Sequence, residues 1–570
     1  MSTRRKAGDN QQREQFTPHV EITVFTKSGG PLTKRILLLA DGSVKSDGSA
    51  CVMSQGVAER AQIVNVEQLA TLIKQLAPNQ AIALGALRTG LPERVQVVTK
   101  ARLKGTQQDV IARTGDGIIY RKGQPTFALL DYDTKGMPEE VAAELKRLGG
   151  YWPALLSVLP ALRAVAYVMR RSTSAGLSRS DTGEKLPESD GLHIYVVVQD
   201  GSDTDRFLRS FHDRCWLAGL GWMMVGAGGQ LLDRSIVDRC VGGPERLVFE
   251  GGPILVPPLE QDQKSRRPVA TDGEVLDTVV ACPPLTIVEN AKLRELKAKE
   301  AHRLSSEAAK VRAAFIVQQA KNIIERTGMS ARDAERVAAR QRNGILLPAV
   351  VLPFDEPDFA GCTVADVLAD PDRFDGATMA DPLEGIKYGP CKAKIMRRPD
   401  GTPWIHSFAH GRTVYGLKLD ASAVRAAMEQ ADNNVVAKIF VELAPAADLD
   451  DLDLEGLRNL AAERSGANKR TISAMLNAAQ KEHAAKRAEQ ERKRRFAERT
   501  DPRPQIMEPA LDAPWLPQMG VLNAVLGGLS SAKPPTRDID GVIARVCKIA
   551  IPNTHAFTPN GANAEEHDHD

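Results

Sequence analysis

The sequence predicts a mixed α/β (α+β) protein that is divided into several domains. Its length of 570 residues exceeds one ordinary domain, and its contents of 42% hydrophobic and 26% charged residues are typical of soluble globular proteins. In the first half of the chain, strand-like apolar runs alternate with amphipathic helical stretches, as expected when helices pack on sheets. No uncharged apolar run reaches the about 18 residues of a membrane span, and the polar N-terminus lacks the apolar core of a signal peptide. We therefore expect no membrane association and a cytoplasmic location.

Changes in composition along the chain predict six regions. Strand-like runs such as VEITVF and LHIYVVV, with a helix expected near 66–77, place most of the α/β structure before residue 265. The six regions are a disordered tail (1–19), a main α/β domain (20–265), a helical accessory domain (280–342), a small β-rich domain of unknown role (345–420), a helical region with a basic end (421–500) and a partly mobile, Pro/Gly-rich C-terminal region (501–570).

Local signals refine the second half of the chain. Gly328 separates two predicted helices between residues 288 and 342, and Ser330 with Asp333 can cap the second helix. Further on, the sequence Pro-Asp-Gly at 399–401 predicts the turn of a β-hairpin.

Cysteine usage and charge limit the classes of partner. The seven cysteines include no C-x2-C pair, and their number is odd, so neither a zinc ribbon nor a disulfide framework is expected. The net charge of only +3 does not by itself indicate a nucleic-acid partner. A basic run at 481–499 fits either a solvated helical face or a helix that contacts phosphates.

Two carboxylates follow a buried strand in the segment FALLDYD. The apolar residues 127–130 lead directly into Asp131 and Asp133. Side chains two residues apart in a strand point to the same face, so both carboxylates emerge together. Oxygen ligands of this kind suit Mg²⁺ or Mn²⁺. A solvated strand end before a turn explains a bare D-x-D pattern equally well.

Two later segments offer further polar side chains. His193 stands at the start of the apolar run LHIYVVV, where its imidazole can contact phosphates or serve a structural role. The segment LLDRSIVDRCVGGPERLVF supplies Asp233 and Asp238, followed by Arg246. Either aspartate could complete a metal site, and spacing alone does not choose between them.

The order of these segments resembles the catalytic domain of the archaeo-eukaryotic primase superfamily, specifically the primase–polymerases of plasmids, phages and integrated elements. In that family a DxD pattern comes first, matched by Asp131 and Asp133. A serine-and-histidine motif follows, matched by His193 with Ser172 or Ser174 of RRSTSAGL. A hydrophobic residue and an acid, with a basic residue nearby, form the third motif. Val237-Asp238 with Arg246 matches it better than Leu232-Asp233. The resemblance covers residues 120–255.

The resemblance implies a sheet like that of RNA-recognition domains and a site for nucleotidyl transfer. In this interpretation Asp131, Asp133 and Asp238 hold two Mg²⁺ or Mn²⁺ ions, and His193 contacts the incoming triphosphate. These four residues form the implied catalytic set. Ser172 or Ser174 assists in substrate binding, and Arg246 either neutralises phosphate or makes a structural ion pair.

The implied function is synthesis of primers on a single-stranded DNA template from NTPs or dNTPs, in replication of a mobile or phage-like element. The sequence contains no G-x-x-x-x-G-K-[ST], so a separate replicative helicase is expected to supply unwinding. Two alternatives remain open. The first is a catalytically inactive adaptor that binds single-stranded DNA and recruits a helicase. The second is a metal-dependent nuclease with similar carboxylates.

Overall fold

The structure, a computed structural model, describes residues 19–497 apart from 100–101, 104–108, 135, 187–190, 399 and 410–411. Apart from residue 19, the predicted N-terminal tail lies outside the described residues, as does the predicted C-terminal region 501–570. The prediction of a mixed α/β protein is confirmed, because the described residues form several sheets and many helices. Within these ranges, no helix combines the length and the apolar character needed to cross a membrane.

The described residues form two compact units. The first unit contains the residues up to Ala427 together with Ala447–Leu454, and it includes every sheet described below. The second unit contains Met428–Ala446 and the described residues from Glu455 onward.

The first part of the chain is rich in short strands. Its helix α1 was predicted at 66–77, and the Asn65 side chain caps its first turn by accepting from the Gln68 amide. The elements are β1 (Val20–Lys27), β2 (Arg35–Leu38), β3 (Val44–Asp47), β4 (Gln55–Ile63), α1 (Val66–Gln75), β5 (Gln80–Ala83), β6 (Ala86–Leu87), β7 (Arg94–Val98), β8 (Val110–Ala112) and β9 (Ile118–Ile119).

The next part of the chain carries all the predicted site residues. Its elements are β10 (Thr126–Tyr132), α2 (Glu139–Arg147), α3 (Tyr151–Val158), β11 (Tyr167–Arg171), β12 (Leu177–Arg179), β13 (Leu192–Val198), α4 (Thr204–Leu217), β14 (Gly221–Val225), β15 (Leu231–Ser235), β16 (Leu247–Val248), β17 (Ile254–Leu255), β18 (Leu259–Gln261), β19 (Val269–Thr271) and α5 (Thr278–Ala281).

These strands form two main sheets that share a hydrophobic core. A six-stranded sheet has the order β16-β5-β1-β4-β7-β8, and a four-stranded antiparallel sheet has the order β10-β13-β11-β19. Residues such as Val24 and Ile82 from the first sheet pack in one core with Leu129 and Val197 from the second. The last strand of the smaller sheet, β19, lies beyond residue 265.

Register in the four-stranded sheet brings distant segments together. Strands β10 and β11 both run antiparallel to β13, so their C-terminal ends lie beside the N-terminal end of β13. At this end of the sheet, Asp131 of β10 and Arg170 of β11 both pair with His193. The two aspartates and the histidine predicted from sequence therefore lie at one end of one sheet.

Helices follow the two sheets, and a break between two of them was predicted correctly. The segment predicted as two helices forms three, namely α6 (Ile287–Arg303), α7 (Ser305–Thr327) and α8 (Ala331–Arg342). Gly328 ends α7 with a positive φ of 69°, and the Ser330 side chain accepts from the Asp333 amide at the start of α8. The additional boundary, which separates α6 from α7, is at Leu304.

A second hydrophobic core joins α7 and α8 to a five-stranded sheet of order β20-β24-β23-β22-β21. Ile323 of α7 and Val337 of α8 pack in this core with Ile395 and Tyr415 of the sheet. The predicted hairpin is confirmed, because Arg397 pairs with Pro403 across the turn. The elements are β20 (Ile345–Leu346), α9 (Val364–Ala369), α10 (Pro371–Phe374), β21 (Thr378–Met379), β22 (Ala393–Arg397), β23 (Pro403–Ser407) and β24 (Val414–Leu417).

The predicted helical character of the following region is confirmed up to residue 497. Its elements are α11 (Ala421–Gln430), α12 (Val436–Leu443), α13 (Asp451–Ser465) and α14 (Lys469–Ala497). The part of the predicted basic run that the structure describes, 481–497, lies at the end of α14, where Lys486 pairs with Glu482 one turn away.

Candidate active site

The two predicted aspartates lie where strand β10 leaves the core. Residues 127–130 are buried, whereas the side chain of Asp131 is 30% exposed and that of Asp133 is 54% exposed. Asp131 Oδ1 lies 3.5 Å from Nε2 of His193 on the neighbouring strand. The buried apolar run thus fixes the strand, and the register presents a carboxylate and an imidazole side by side.

Both predicted serines begin the loop that leaves the same end of the sheet. Strand β11 ends at Arg171, and the Ser172 amide then donates to the Gly191 carbonyl at 2.9 Å. The hydroxyls of Ser172 and Ser174 are 3.2 Å apart. The loop therefore starts and finishes next to His193, although Ser174 and His193 are well separated in sequence.

A buried glutamate that sequence reasoning missed holds the imidazole of His193. Glu250 is completely buried, and its Oε1 lies 2.6 Å from Nδ1 of His193 and accepts from the Tyr195 hydroxyl at 2.6 Å. Its other carboxylate oxygen lies 3.0 Å from Arg170 Nη1 and 3.7 Å from Arg266 Nη2. These contacts fix the orientation of the His193 ring and direct Nε2 toward the end of the sheet.

Charge in this buried cluster favours an ionised carboxylate beside a protonated imidazole. Burial opposes ionisation of Glu250, but the His193 charge and hydrogen bond and the Arg170 charge lower its pKa to about 2. Burial lowers the pKa of His193, yet Glu250 and then Asp131 raise it above the ordinary value. His193 therefore carries positive charge more readily than a histidine in water.

Asp238 lies on an irregular segment close to Asp131. Its Oδ1 accepts from the Cys240 amide at 2.7 Å and so caps a short 3₁₀ turn, Arg239–Val241. The pKa of Asp131 is raised first by burial and then by the negative charges of Asp238 and Asp133, while His193 lowers it. Three carboxylates thus act on one another at this end of the sheet.

The rival aspartate, Asp233, is fully engaged elsewhere. Its Oδ1 accepts from Trp216 Nε1 at 2.7 Å and lies 3.2 Å from His212 Nε2, and its Oδ2 accepts from Lys297 Nζ at 2.9 Å. Arg239 Nη1 is 3.2 Å from the same Oδ2. Despite burial, His212, Arg239 and Lys297 lower the pKa of Asp233. Through these contacts Asp233 links strand β15 to helices α4 and α6.

Face alternation in strand β15 explains why the adjacent residue points to the site instead. Neighbouring side chains in a strand lie on opposite faces, and Arg234 Nη1 lies 3.7 Å from Asp133 Oδ2. Arg246, predicted to bind phosphate or to make an ion pair, donates from Nη1 to the Cys240 carbonyl at 2.9 Å. Its positive charge also lowers the pKa of Asp131, so Arg246 belongs to the same electrostatic environment.

The donor set fits a hard divalent cation. Within the described ranges, no three His, Cys, Asp or Glu side chains are grouped tightly enough to hold a metal by themselves. Mg²⁺ commonly binds through one or two carboxylates, waters and substrate phosphates, so a complete protein cage is not required. The Tyr151 hydroxyl, near Asp131 and Asp238, is buried and has no hydrogen-bond partner among the described residues. A polar ligand at this position would satisfy it.

Comparison with protein-family models, curated proteins and solved structures finds no match to this chain. The geometry of the site and the order of its segments along the sequence are therefore the evidence for function.

Proposed function

We propose that this protein is a DNA primase–polymerase that synthesises primers on single-stranded DNA by two-metal nucleotidyl transfer. One observation carries the proposal. The D-x-D segment, the serine loop and the histidine strand occur in the sequence order of that family, and they meet at one end of one antiparallel sheet. Short motifs that resembled the family only by chance would not be expected to lie close together in the structure.

The topology of the small sheet also supports the proposal. Its elements follow the order β10, α2 with α3, β11, β13 and α4, and β13 lies between β10 and β11. This is the arrangement of a split βαβ unit, the basis of ferredoxin-like and RNA-recognition folds. We assign the RNA-recognition-like sheet of a catalytic domain to these strands, with β19 as an added edge strand.

In the proposed site, Asp131, Asp133 and Asp238 hold the divalent ions, Mg²⁺ or Mn²⁺. Bound ions of this kind activate a 3′-hydroxyl and stabilise the departing pyrophosphate. We choose Asp238 over Asp233 because the charge of Asp238 acts on Asp131, whereas Asp233 is held by four other side chains.

The remaining polar residues orient the substrate. His193, which is held by Glu250 and whose pKa is raised above its ordinary value, contacts a phosphate of the incoming nucleotide. Ser172 and Ser174 supply hydroxyl donors beside it, and Arg246 neutralises phosphate charge. His193 and the two serines need no movement of the backbone for these roles, because the four-stranded sheet already holds their segments together.

The wider assignment follows from the proposed activity. The partners are a single-stranded DNA template and NTPs or dNTPs, and the setting is replication of a mobile or phage-like element in the cytoplasm. Because the sequence contains no nucleotide-binding P-loop, a separate replicative helicase supplies unwinding in this proposal.

The test is a synthesis assay with purified protein, single-stranded DNA, Mg²⁺ or Mn²⁺, and labelled NTPs and dNTPs. We expect short products without added primer, and we expect the Asp131→Asn/Asp133→Asn variant to lose synthesis by about a thousandfold, equivalent to about 4 kcal/mol of transition-state stabilisation. If the protein only extends supplied primers, it is a polymerase that does not initiate synthesis. Tight DNA binding without synthesis would support the adaptor, and degradation of the template would support the nuclease.

A further inference from the structure

The small β-rich domain reaches the candidate active site through Tyr388. Arg234 Nη2 donates to the Tyr388 hydroxyl at 3.0 Å, and the guanidinium carbon lies 5.9 Å from the centroid of the ring. Nη1 of the same arginine is 3.7 Å from Asp133 Oδ2. Nearby, the Ala227 amide donates to Glu384 Oε2 at 3.0 Å. These contacts join a segment of previously unknown role to a predicted catalytic residue.

Lys392 follows on the same segment and has a fixed backbone. Its amide donates to the Met379 carbonyl at 2.9 Å, and its carbonyl accepts from the Phe408 amide at 2.7 Å. Its Nζ lies 5.5 Å from the centroid of the Tyr388 ring, a cation–π distance. The start of strand β22 therefore holds this lysine in place.

Positive charge is concentrated around Lys392. Burial lowers the pKa of its ammonium group, the neighbouring Arg246 lowers it further, and the charge of Asp238 raises it. Arg234 also acts on it with positive charge. Two arginines and a half-buried lysine beside acidic residues suit a ligand that brings both a divalent cation and several phosphate charges.

We propose that Lys392, supplied by the small β-rich domain and held near Asp133 through Tyr388 and Arg234, binds the triphosphate group of the incoming nucleotide. The inference rests on the proposed function, and it assigns the domain a part in substrate binding. We favour a nucleoside triphosphate as the ligand, because a monophosphate carries too little negative charge to contact three cationic side chains. The sequence predicts that Arg246 either neutralises phosphate or makes a structural ion pair, whereas no motif points to Lys392.

The test compares the full-length Lys392→Gln variant with a matched control, Lys387→Gln. Lys387 is an exposed lysine on the same segment. We expect the KM for dNTP in template-directed synthesis to rise by about 10- to 100-fold in Lys392→Gln, as for loss of a charged hydrogen bond, and to stay unchanged in the control. Calorimetric titration without template should show that dATP binding weakens by a similar factor, while the weaker binding of dAMP changes little.

A Lys392→Arg variant separates charge from packing. It should keep the KM within about threefold of the wild-type value if the residue acts as a cation, since guanidinium and ammonium groups both bind phosphate. A purely structural lysine would instead be impaired by both substitutions, with a matching fall in Tm and no selective effect on dATP over dAMP.

The outcomes separate this inference from the proposed function. If the wild-type protein synthesises DNA but Lys392→Gln keeps its KM and its dATP affinity, the role of Lys392 is overturned and the proposed function stands. If the wild-type protein binds dATP through Lys392 yet synthesises nothing, the phosphate site stands and the polymerase proposal falls. If it neither synthesises nor binds dATP, both are wrong.

Discussion

Nδ1 of His193 lies 2.6 Å from Oε1 of Glu250, a carboxylate that is completely buried beneath the candidate active site. The same carboxylate group contacts Tyr195, Arg170 and Arg266, so one side chain links strand β13 to strand β11 and to the segment after β18. His193 and Glu250 thus form a unit in which the histidine faces the site and the glutamate fixes its ring.

The first prediction concerns the Glu250→Gln substitution. It removes the charge that orients His193 and leaves Arg170 and Arg266 without their buried counter-ion, so we expect a loss of about 3–5 kcal/mol in the free energy of unfolding. Below its Tm, the variant should also synthesise about 10- to 100-fold more slowly, as supporting residues of this kind often show. Denaturant unfolding and primer extension measure the two effects. Glu260→Gln, at an exposed position, is the control, and equal behaviour of the two variants would contradict the assigned role.

The second prediction concerns the pH dependence of stability. Because the folded pKa of His193 is raised above its ordinary value of 6.5, its contribution is fully present below pH 6.5 and is lost as pH rises through the folded pKa. The difference in Tm between the wild-type protein and His193→Gln should therefore shrink as pH rises above 6.5. Differential scanning fluorimetry measures it. A difference that grows with pH would show that the imidazole of His193 is neutral in the folded protein, and a constant difference would show that folding leaves its pKa unchanged.

The third prediction concerns Asp131, whose carboxylate is unfavourable to the fold. Its raised pKa means that ionisation above the ordinary value of 3.8 costs stability, and Asp131→Asn removes that cost. Without divalent ions near neutral pH, we expect Asp131→Asn to have a Tm equal to or higher than that of the wild-type protein, with synthesis lost. Thermal unfolding in EDTA checks this. A marked fall in Tm would mean that Asp131 has a structural role.

The fourth prediction concerns Asp233, for which the opposite result is expected. Asp233→Asn weakens charged hydrogen bonds to Trp216, Lys297 and His212, so we expect a loss of about 1.5–3 kcal/mol in unfolding free energy. The rate of synthesis by the folded variant should stay within about threefold of the wild-type rate. The activation free energy then changes by less than about 1.4 kcal/mol, which corresponds to a tenfold change in rate. Denaturant unfolding and primer extension at a permissive temperature provide the measurements. A stable but inactive variant would move the third metal ligand from Asp238 to Asp233.

Some of the site could be predicted because the relevant patterns are local. The run of apolar residues before Asp131 predicts a buried strand, and the two-residue period places Asp131 and Asp133 together. The Gly328 break and the Ser330 cap could be predicted for the same reason, since backbone conformation and capping depend on neighbouring residues. The boundary at Leu304 has no glycine, proline or capping side chain to mark it.

The rest of the site depends on contacts between distant segments. Glu250 looks like an ordinary glutamate in the sequence, because its partners His193 and Arg170 belong to other strands. The choice between Asp233 and Asp238 depends on which face of the β14–β15 hairpin meets helix α4, and spacing carries no such information. Lys392 could not be identified either, because its neighbours come from another part of the chain.

The hydrogen bond between the Ser172 amide and the Gly191 carbonyl closes the loop that connects β11 to β13. Strands β11 and β13 are held together by the hydrogen bonds between them. The position of His193 therefore does not depend on the length of the connection. Long surface insertions cost little free energy when their ends are already fixed. The exposed turn at 181–184 in this connection is therefore a point at which evolution, or an engineer, can lengthen the chain or graft a new recognition element while leaving the end of the sheet that carries His193 in place.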